Sequence, residues 1–315
     1  MRTPPTAPRS LADLETSVRA HVDMLAGLIG PRHLGRPSSF DATLAYLRKC
    51  LGRHGETLRD ETYDVDGHVV RNLILERLGT RHPDRIVVLG AHYDTVPTTP
   101  GADDNASAVA ALLESASLLF GVELPYTVRF VAFANEEPPY FYSELMGSQV
   151  HARRARQRGD DIRAMVCLEM LGYFRDEVGS QGIPSGIPRF LRRLFPSRGD
   201  FLASVGNLRS VRNVWQFDRG FRAASRLPLF SIALPERVRE IRLSDNSSFW
   251  DQGYPAIMLT DTSFFRNPHY HLRSDTADTL DYPRLALGAL GVAGGVARLA
   301  GCRSRRVLQG LAAAP

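Results

Sequence analysis

The stretch GAHYDTVPTTPGADDNAS (90–107) places His92 close to Asp94, Asp103 and Asp104. Aspartate is an ordinary turn former and a single histidine is ordinary anywhere, so the loop gains chemical meaning only if it has partners. Candidates follow. Glu136 and Glu137 stand together after TVRFVAFAN, and Glu169 closes the apolar run DIRAMVCLEM. Asp261 ends YPAIMLTD, and His271 lies in RNPHYHLRSDTADT with His269 as its competitor. Imidazole and carboxylate donors without cysteine suit zinc, and manganese or cobalt also fit. Two such cations sharing one carboxylate activate a water and polarise a carbonyl. In the His-x-Asp spacing, Asp94 can accept the imidazole N–H of His92 that faces away from a metal. An aspartate of GADD, at the start of a buried helix, suits a bridging carboxylate. Adjacent buried acids such as Glu136 and Glu137 are costly unless cations compensate them. Neighbours on an extended chain point different ways, so one can bind metal while the other faces a substrate water.

These residues need strands that end together. RIVVLGAH (85–92), TVRFVAFAN (127–135), DIRAMVCLEM (161–170) and YPAIMLTD (254–261) read as core strands, and VVRNLILERL (69–78) as an extended segment. Helical spacing or composition marks 10–30, 38–54, 105–120, 143–157 and 283–302. The β-α-β-α-β rhythm implies a mostly parallel sheet with helices on both faces. The candidates then fall where strands end, the edge at which open α/β sheets carry their sites. Between 172 and 240, FLASVGN and LPLFSIAL read as strands around a helix at roughly 207–224.

Composition excludes several classes. The net charge is +5, yet the basic residues are scattered arginines with a single lysine, Lys49, so nucleic acid is not expected as a partner. The dense run ARRARQR (152–158) reads as a solvated helix face. Cys50, Cys167 and Cys302 form no pairs by spacing and suggest a reducing compartment. MRTPPTAPRSLADLE shows no signal-peptide core, and no run is long enough to span a membrane, so a cytoplasmic location is expected. Without repeats or a low-complexity linker, 1–315 reads as one domain with residues 1–9 frayed.

In this order, HYD, GADDNAS, NEE, LEM and YHxxxDTxDTxD resemble the motifs of the co-catalytic zinc exopeptidases, the family of bacterial leucyl aminopeptidases. The resemblance covers roughly residues 20–300. It implies a single three-layer αβα domain around a mixed, mostly parallel sheet, two Zn2+ ions and a peptide substrate. His92, Asp104 and Glu169 would hold one zinc; Asp104, Glu137 and His271 the other. A cis peptide would follow the bridging Asp104. Glu136 would be the general base that activates a metal-bridging water, and Asp94 would orient His92.

The sequence also departs from the family pattern. Glu169 stands where many members have Asp, and Ala108 where Gly is usual. In SDNSSFW (244–250), Asn246 replaces a histidine, and Ile241 stands where some members have a tyrosine that assists the oxyanion. The expected activity is aminopeptidase. Alternatives of the same fold are a glutaminyl cyclase, which functions with one zinc, a carboxypeptidase, and a metal-free binding module. Substrate specificity is expected from 172–250, including FDRGFR (217–222).

Overall fold

The computed structural model describes residues 10–54 and 57–311. The segment 1–9, expected to be frayed, lies outside the described residues. In chain order the strands are β1 (Thr57–Val65), β2 (His68–Arg77), β3 (His82–His92), β4 (Tyr126–Phe133), β5 (Asp161–Glu169), β6 (Leu202–Asn207), β7 (Leu229–Leu234) and β8 (Ala256–Thr260). The helices are α1 (Leu11–Val22), α2 (Pro37–Leu51), α3 (Ala108–Leu119), α4 (Gly147–Arg158), α5 (Arg189–Arg192), α6 (Val211–Ala224), α7 (Asn246–Asp251), α8 (Tyr282–Leu299) and α9 (Arg305–Gly310).

Among the described residues, one sheet runs β1-β2-β4-β3-β5-β8-β6-β7. Its centre, β4-β3-β5-β8, is parallel. β2 is antiparallel to β4 and β6 to β8, which makes the sheet mixed. The central strands are continuous apolar runs because both faces are covered, as parallel sheets require. Val87 and Leu89 of β3 face the layer containing α1, α2, α3, α6 and α8, while Ile86 and Val88 face the layer of α4 and α7. This is the expected three-layer αβα arrangement.

Two features went unread in the sequence. β1 pairs antiparallel with β2 through a tight turn at Asp66 and Gly67, both with positive φ, the pattern that Asp-Gly serves in hairpins. The helix expected at 143–157 begins only at Gly147, after a turn.

FDRGFR is a packing segment and does not face the site. Phe217 and Phe221 are fully buried, and α6 lies so close to α8 that a Cβ on Gly294 would come within 2.6 Å of the Gly220 carbonyl oxygen. A Cβ on Gly291 or Gly295 would strike Phe221 or Phe217 at 2.3 and 2.4 Å. The glycines of α8 exist to admit those rings. No helix among the described residues is long and apolar enough to cross a membrane.

Candidate metal centre

The carboxyl ends of β4, β3, β5 and β8 lie side by side, and each delivers candidates to one spot. β3 ends at His92; the chain beyond β4 carries Glu136 and Glu137; β5 ends at Glu169; the loops beyond β8 bring His271. His92 Nε2 lies 3.4 Å from both Asp104 Oδ1 and Glu169 Oε2. His271 Nε2 lies 3.2 Å from Asp104 Oδ2 and 3.3 Å from Glu137 Oε2. Donor atoms of His92, Asp104 and Glu169 therefore converge, as do those of Asp104, Glu137 and His271, each set within 4.8 Å. Asp104 belongs to both. Its two carboxylate oxygens face opposite partners.

Asp104 reaches this position through an irregular entry into α3. A π-type turn, Ala102–Ser107, contains non-helical Asp104 and Asn105, joined by a cis peptide. Backbone N–H groups of Asp103 and Asp104 donate to Asp275 at 2.8 and 3.1 Å. The Asn105 side chain bridges the Leu168 carbonyl and the Met170 N–H, locking the turn to the end of β5. Asp103 faces away from the cluster. It accepts from Gly172 N–H and the Asn267 amide, while burial and then the neighbouring Asp261 push its carboxyl pKa well up. Asp261 accepts from Tyr173 N–H and does not join the donor sets, although it too ends a core strand. His269 turns to Ser274 at 2.9 Å and leaves the position to His271.

Asp94 has a wider role than its spacing suggests. Its carboxylate sits 3.5 Å from His92 Nδ1, and it also accepts the backbone N–H groups of Glu136 and Glu137 at 3.1 and 3.0 Å. It thus aims the histidine and fixes the turn that carries both glutamates. Ser244 was missed: its hydroxyl donates to Glu169 Oε2 at 2.5 Å and fixes the longer acid that replaces Asp here.

Arg32 was also missed. It is 1% exposed, and its guanidinium donates to the carbonyls of Leu25, Gly30, Tyr93, Pro100 and Gly101 at 2.7 to 3.0 Å. It clamps the chain on both sides of the loop between His92 and Asp104. Burial lowers its pKa to about 10, so the cation persists beneath a surplus of acids. No motif marks it, because its partners are backbone carbonyls distant in sequence.

The electrostatics describe an anion-rich pocket. Burial pushes the Glu136 carboxyl well up, and Glu137 and Glu169 add to the shift against the pull of His92. Burial and the neighbouring Asp104 carry Glu137 to about 8. Burial pushes His271 down, but Asp104 and Glu137 reverse this and hold it at about 10. Such crowding of buried acids is relieved by bound cations.

The family model described as Peptidase family M28 matches residues 72–293. The chain belongs to peptidase family M28. A protein of Escherichia coli (strain K12), the uncharacterized YfbL, is 36% identical over 299 residues, which are 91% of this chain and 88% of that one. BSAP, a zinc aminopeptidase from Bacillus subtilis, has a similar fold: TM-score 0.69 over 91% of this chain and 95% of that chain, at 16% identity. A glutaminyl cyclase from Fimbriiglobus ruber has it too, with TM-score 0.63 over 95% and 97% of the two chains at 19% identity. At those identities the likeness is one of fold.

An M28 peptidase implies zinc, and the donors of this one fit it. His92 Nε2, Asp104 Oδ1 and Glu137 Oε1 are buried without a hydrogen-bond partner. Buried polar atoms are rarely left so, and nitrogen and oxygen donors at this spacing have the chemistry of a zinc site.

Proposed function

We propose that this M28 peptidase is a di-zinc aminopeptidase that releases the N-terminal residue of short peptides. The carrying observation is that the two donor sets are both complete and share Asp104. His92, Asp104 and Glu169 would hold one zinc, and Asp104, Glu137 and His271 the other. A glutaminyl cyclase with one zinc would leave one set without a purpose. Zinc bound there would supply Lewis-acid activation of a water and of the scissile carbonyl.

Glu136 is free of both donor sets, 3.9 Å from His92 Nε2, and is held by the Asp94–backbone contact. Its burial-raised pKa suits a general base that takes a proton from the attacking water and passes it to the leaving amine. Asp94 holds the His92 ring. Tyr270 stacks on the ring of its neighbour His271 at 3.7 Å and lines the same cavity as Glu169. In this reading Tyr270 is the candidate to assist the oxyanion, a role that the apolar Ile241 cannot fill.

An apolar cavity, open to solvent, adjoins Glu169. Phe201, Phe230, Ile232, Ile241 and Met258 line it, and it suits an apolar first side chain. The acid surplus favours a free, cationic N-terminus over a carboxylate at this end of the site.

Metal analysis with leucyl dipeptides tests the reading: about two zinc ions per chain and release of N-terminal leucine are expected. Glu136→Gln should retain zinc and lose roughly a hundredfold to ten-thousandfold in turnover. A wild-type rate in Glu136→Gln with zinc bound would overturn the role of Glu136.

A further inference from the structure

The apolar cavity beside Glu169 is longer than a small side chain needs. Strand alternation in LFSIAL turns Phe230, Ile232 and Leu234 of β7 to one face of the sheet, where they line the cavity with Ala203 and Val205 of β6 and Met258 of β8. Register fixes the direction of this floor. Phe230 pairs with Ala203, which pairs with Thr260 at the edge where the metal centre lies. Leu234 pairs with Asn207 at the other end of β6. The floor therefore runs from Phe230 to Leu234 away from the metal edge, four residues or about 13 Å of strand.

Two acids line the cavity, Glu169 and Glu240. Glu169 belongs to a metal donor set; Glu240 does not. Glu240 stands in the 3₁₀ turn Arg239–Arg242, two residues before Ser244 is reached through Leu243, and Ser244 donates to Glu169. At a 3₁₀ rise of about 2 Å per residue, that turn keeps Glu240 within roughly 10 Å of Ser244, the reach of a long side chain held at the centre. The half-buried Glu240 carboxylate crosses to the cavity roof, where it accepts from the Ser185 hydroxyl at 3.5 Å. No cation pairs with it among the described residues. Arg242 takes Glu236 and Asp251, and Arg192 donates to the carbonyls of Ile187 and Ser185 at 3.1 and 3.3 Å. Gln181, which also lines the cavity, is engaged by Arg266 and Thr262. A carboxylate left without a counter-charge on an apolar wall is one that a ligand cation would satisfy.

We infer that Glu240 reads the cationic end of a long first side chain, so that the enzyme favours peptides beginning with arginine or lysine over those beginning with a neutral residue of the same length. This rests on the aminopeptidase reading. The apolar floor takes the methylene stem and the carboxylate takes the charge, the division that long basic side chains make at an apolar surface. The fork of arginine can meet both oxygens of the carboxylate. Leucine fits the same floor but stops short of Glu240, so it is cleaved without this contact.

The test compares kcat/KM of the zinc-loaded full chain for Arg-Ala, citrullyl-Ala, Leu-Ala and N-acetyl-Arg-Ala. Citrulline keeps the length and shape of arginine without its charge. Arg-Ala should exceed citrullyl-Ala by about tenfold, chiefly through KM. In Glu240→Gln that ratio should fall to within about twofold of unity, and in Glu240→Lys it should invert. Equal rates for Arg-Ala and citrullyl-Ala in the wild-type enzyme, or a ratio that survives Glu240→Gln, would overturn the inference, while release of leucine from Leu-Ala would leave the aminopeptidase intact. Cleavage of N-acetyl-Arg-Ala as fast as Arg-Ala would instead overturn the aminopeptidase reading, and a ratio that still falls in Glu240→Gln would retain the Glu240 contact. No hydrolysis of any of the four would remove both.

Discussion

At the scale of single residues, a buried cation whose guanidinium bonds only to backbone carbonyls among the described residues holds the loop between His92 and Asp104. Arg32 satisfies five carbonyls from the turn after α1, the end of β3 and the loop before Asp104, so its charge is spread over backbone dipoles. Gly101 shows how tightly the loop is wrapped: it has φ +64, and a Cβ there would meet Arg32 Nη2 at 2.9 Å. Arg32→Met removes every donor while keeping much of the volume, leaving buried carbonyls unpaired. The expected cost is about 3–5 kcal/mol of stability, read by urea denaturation. Chelator competition should also show weaker zinc binding, because the loop between His92 and Asp104 is no longer held. Unchanged zinc affinity would reduce Arg32 to a purely structural part.

At the scale of elements, a buried polar junction ties β1 to its neighbours. Glu61 of β1 accepts from the Asn72 amide of β2 at 3.0 Å and pairs with His151 of α4 at 2.9 Å. Asn72 in turn binds the Gly147 carbonyl and the Ala134 N–H, two residues before Glu136. Burial would raise the Glu61 pKa, but hydrogen bonding to His151 and Asn72 outweighs it and holds it at about 2. A depressed carboxylate stabilises the fold above its unfolded pKa, and that stability is lost as pH falls through the folded value. The window therefore runs from pH about 4.5 down to about 2, with on the order of 3 kcal/mol at stake. Thermal melts between those limits should show a shallower acid decline in Glu61→Gln than in the wild type. Parallel curves would show that the junction carries no such linkage.

At the scale of the whole molecule, the sheet gathers carboxylates that repel one another unless cations lie between them. The zinc-bound protein should thus melt higher than the metal-free one, by an amount that rises with free zinc as RT ln(1 + [Zn]/Kd), or about 4 kcal/mol at a thousandfold excess over Kd. Removing zinc with a chelator and restoring it should shift the melting temperature reversibly; coincident melts would argue against a zinc site built from these donors.

Much of this was legible from local chemistry. Apolar runs mark β3, β4, β5 and β8 because strands buried on both faces must be apolar throughout, and the polar residues that interrupt them then stand out at their ends. That pattern alone located His92, Glu136, Glu137 and Glu169. What the sequence left open depended on which way a side chain turns in three dimensions. Asp103 and Asp104 are adjacent and chemically identical, as are His269 and His271 a residue apart; the family resemblance picks Asp104 and His271, but the physical reason lies in the turn into α3 and the loop beyond β8. Asp261 ends a core strand like Glu169, yet backbone donors beyond β5 and β8 draw it aside. FDRGFR was expected to share in specificity as a Phe/Arg-rich part of 172–250, but its phenylalanines are buried, and periodicity cannot say that the glycines of α8 admit those rings. Arg32 carries no motif, since its partners are backbone carbonyls, and Ser244 opens SDNSSFW without any sign that its partner is Glu169, far along the chain. Their roles exist only once the chain is folded.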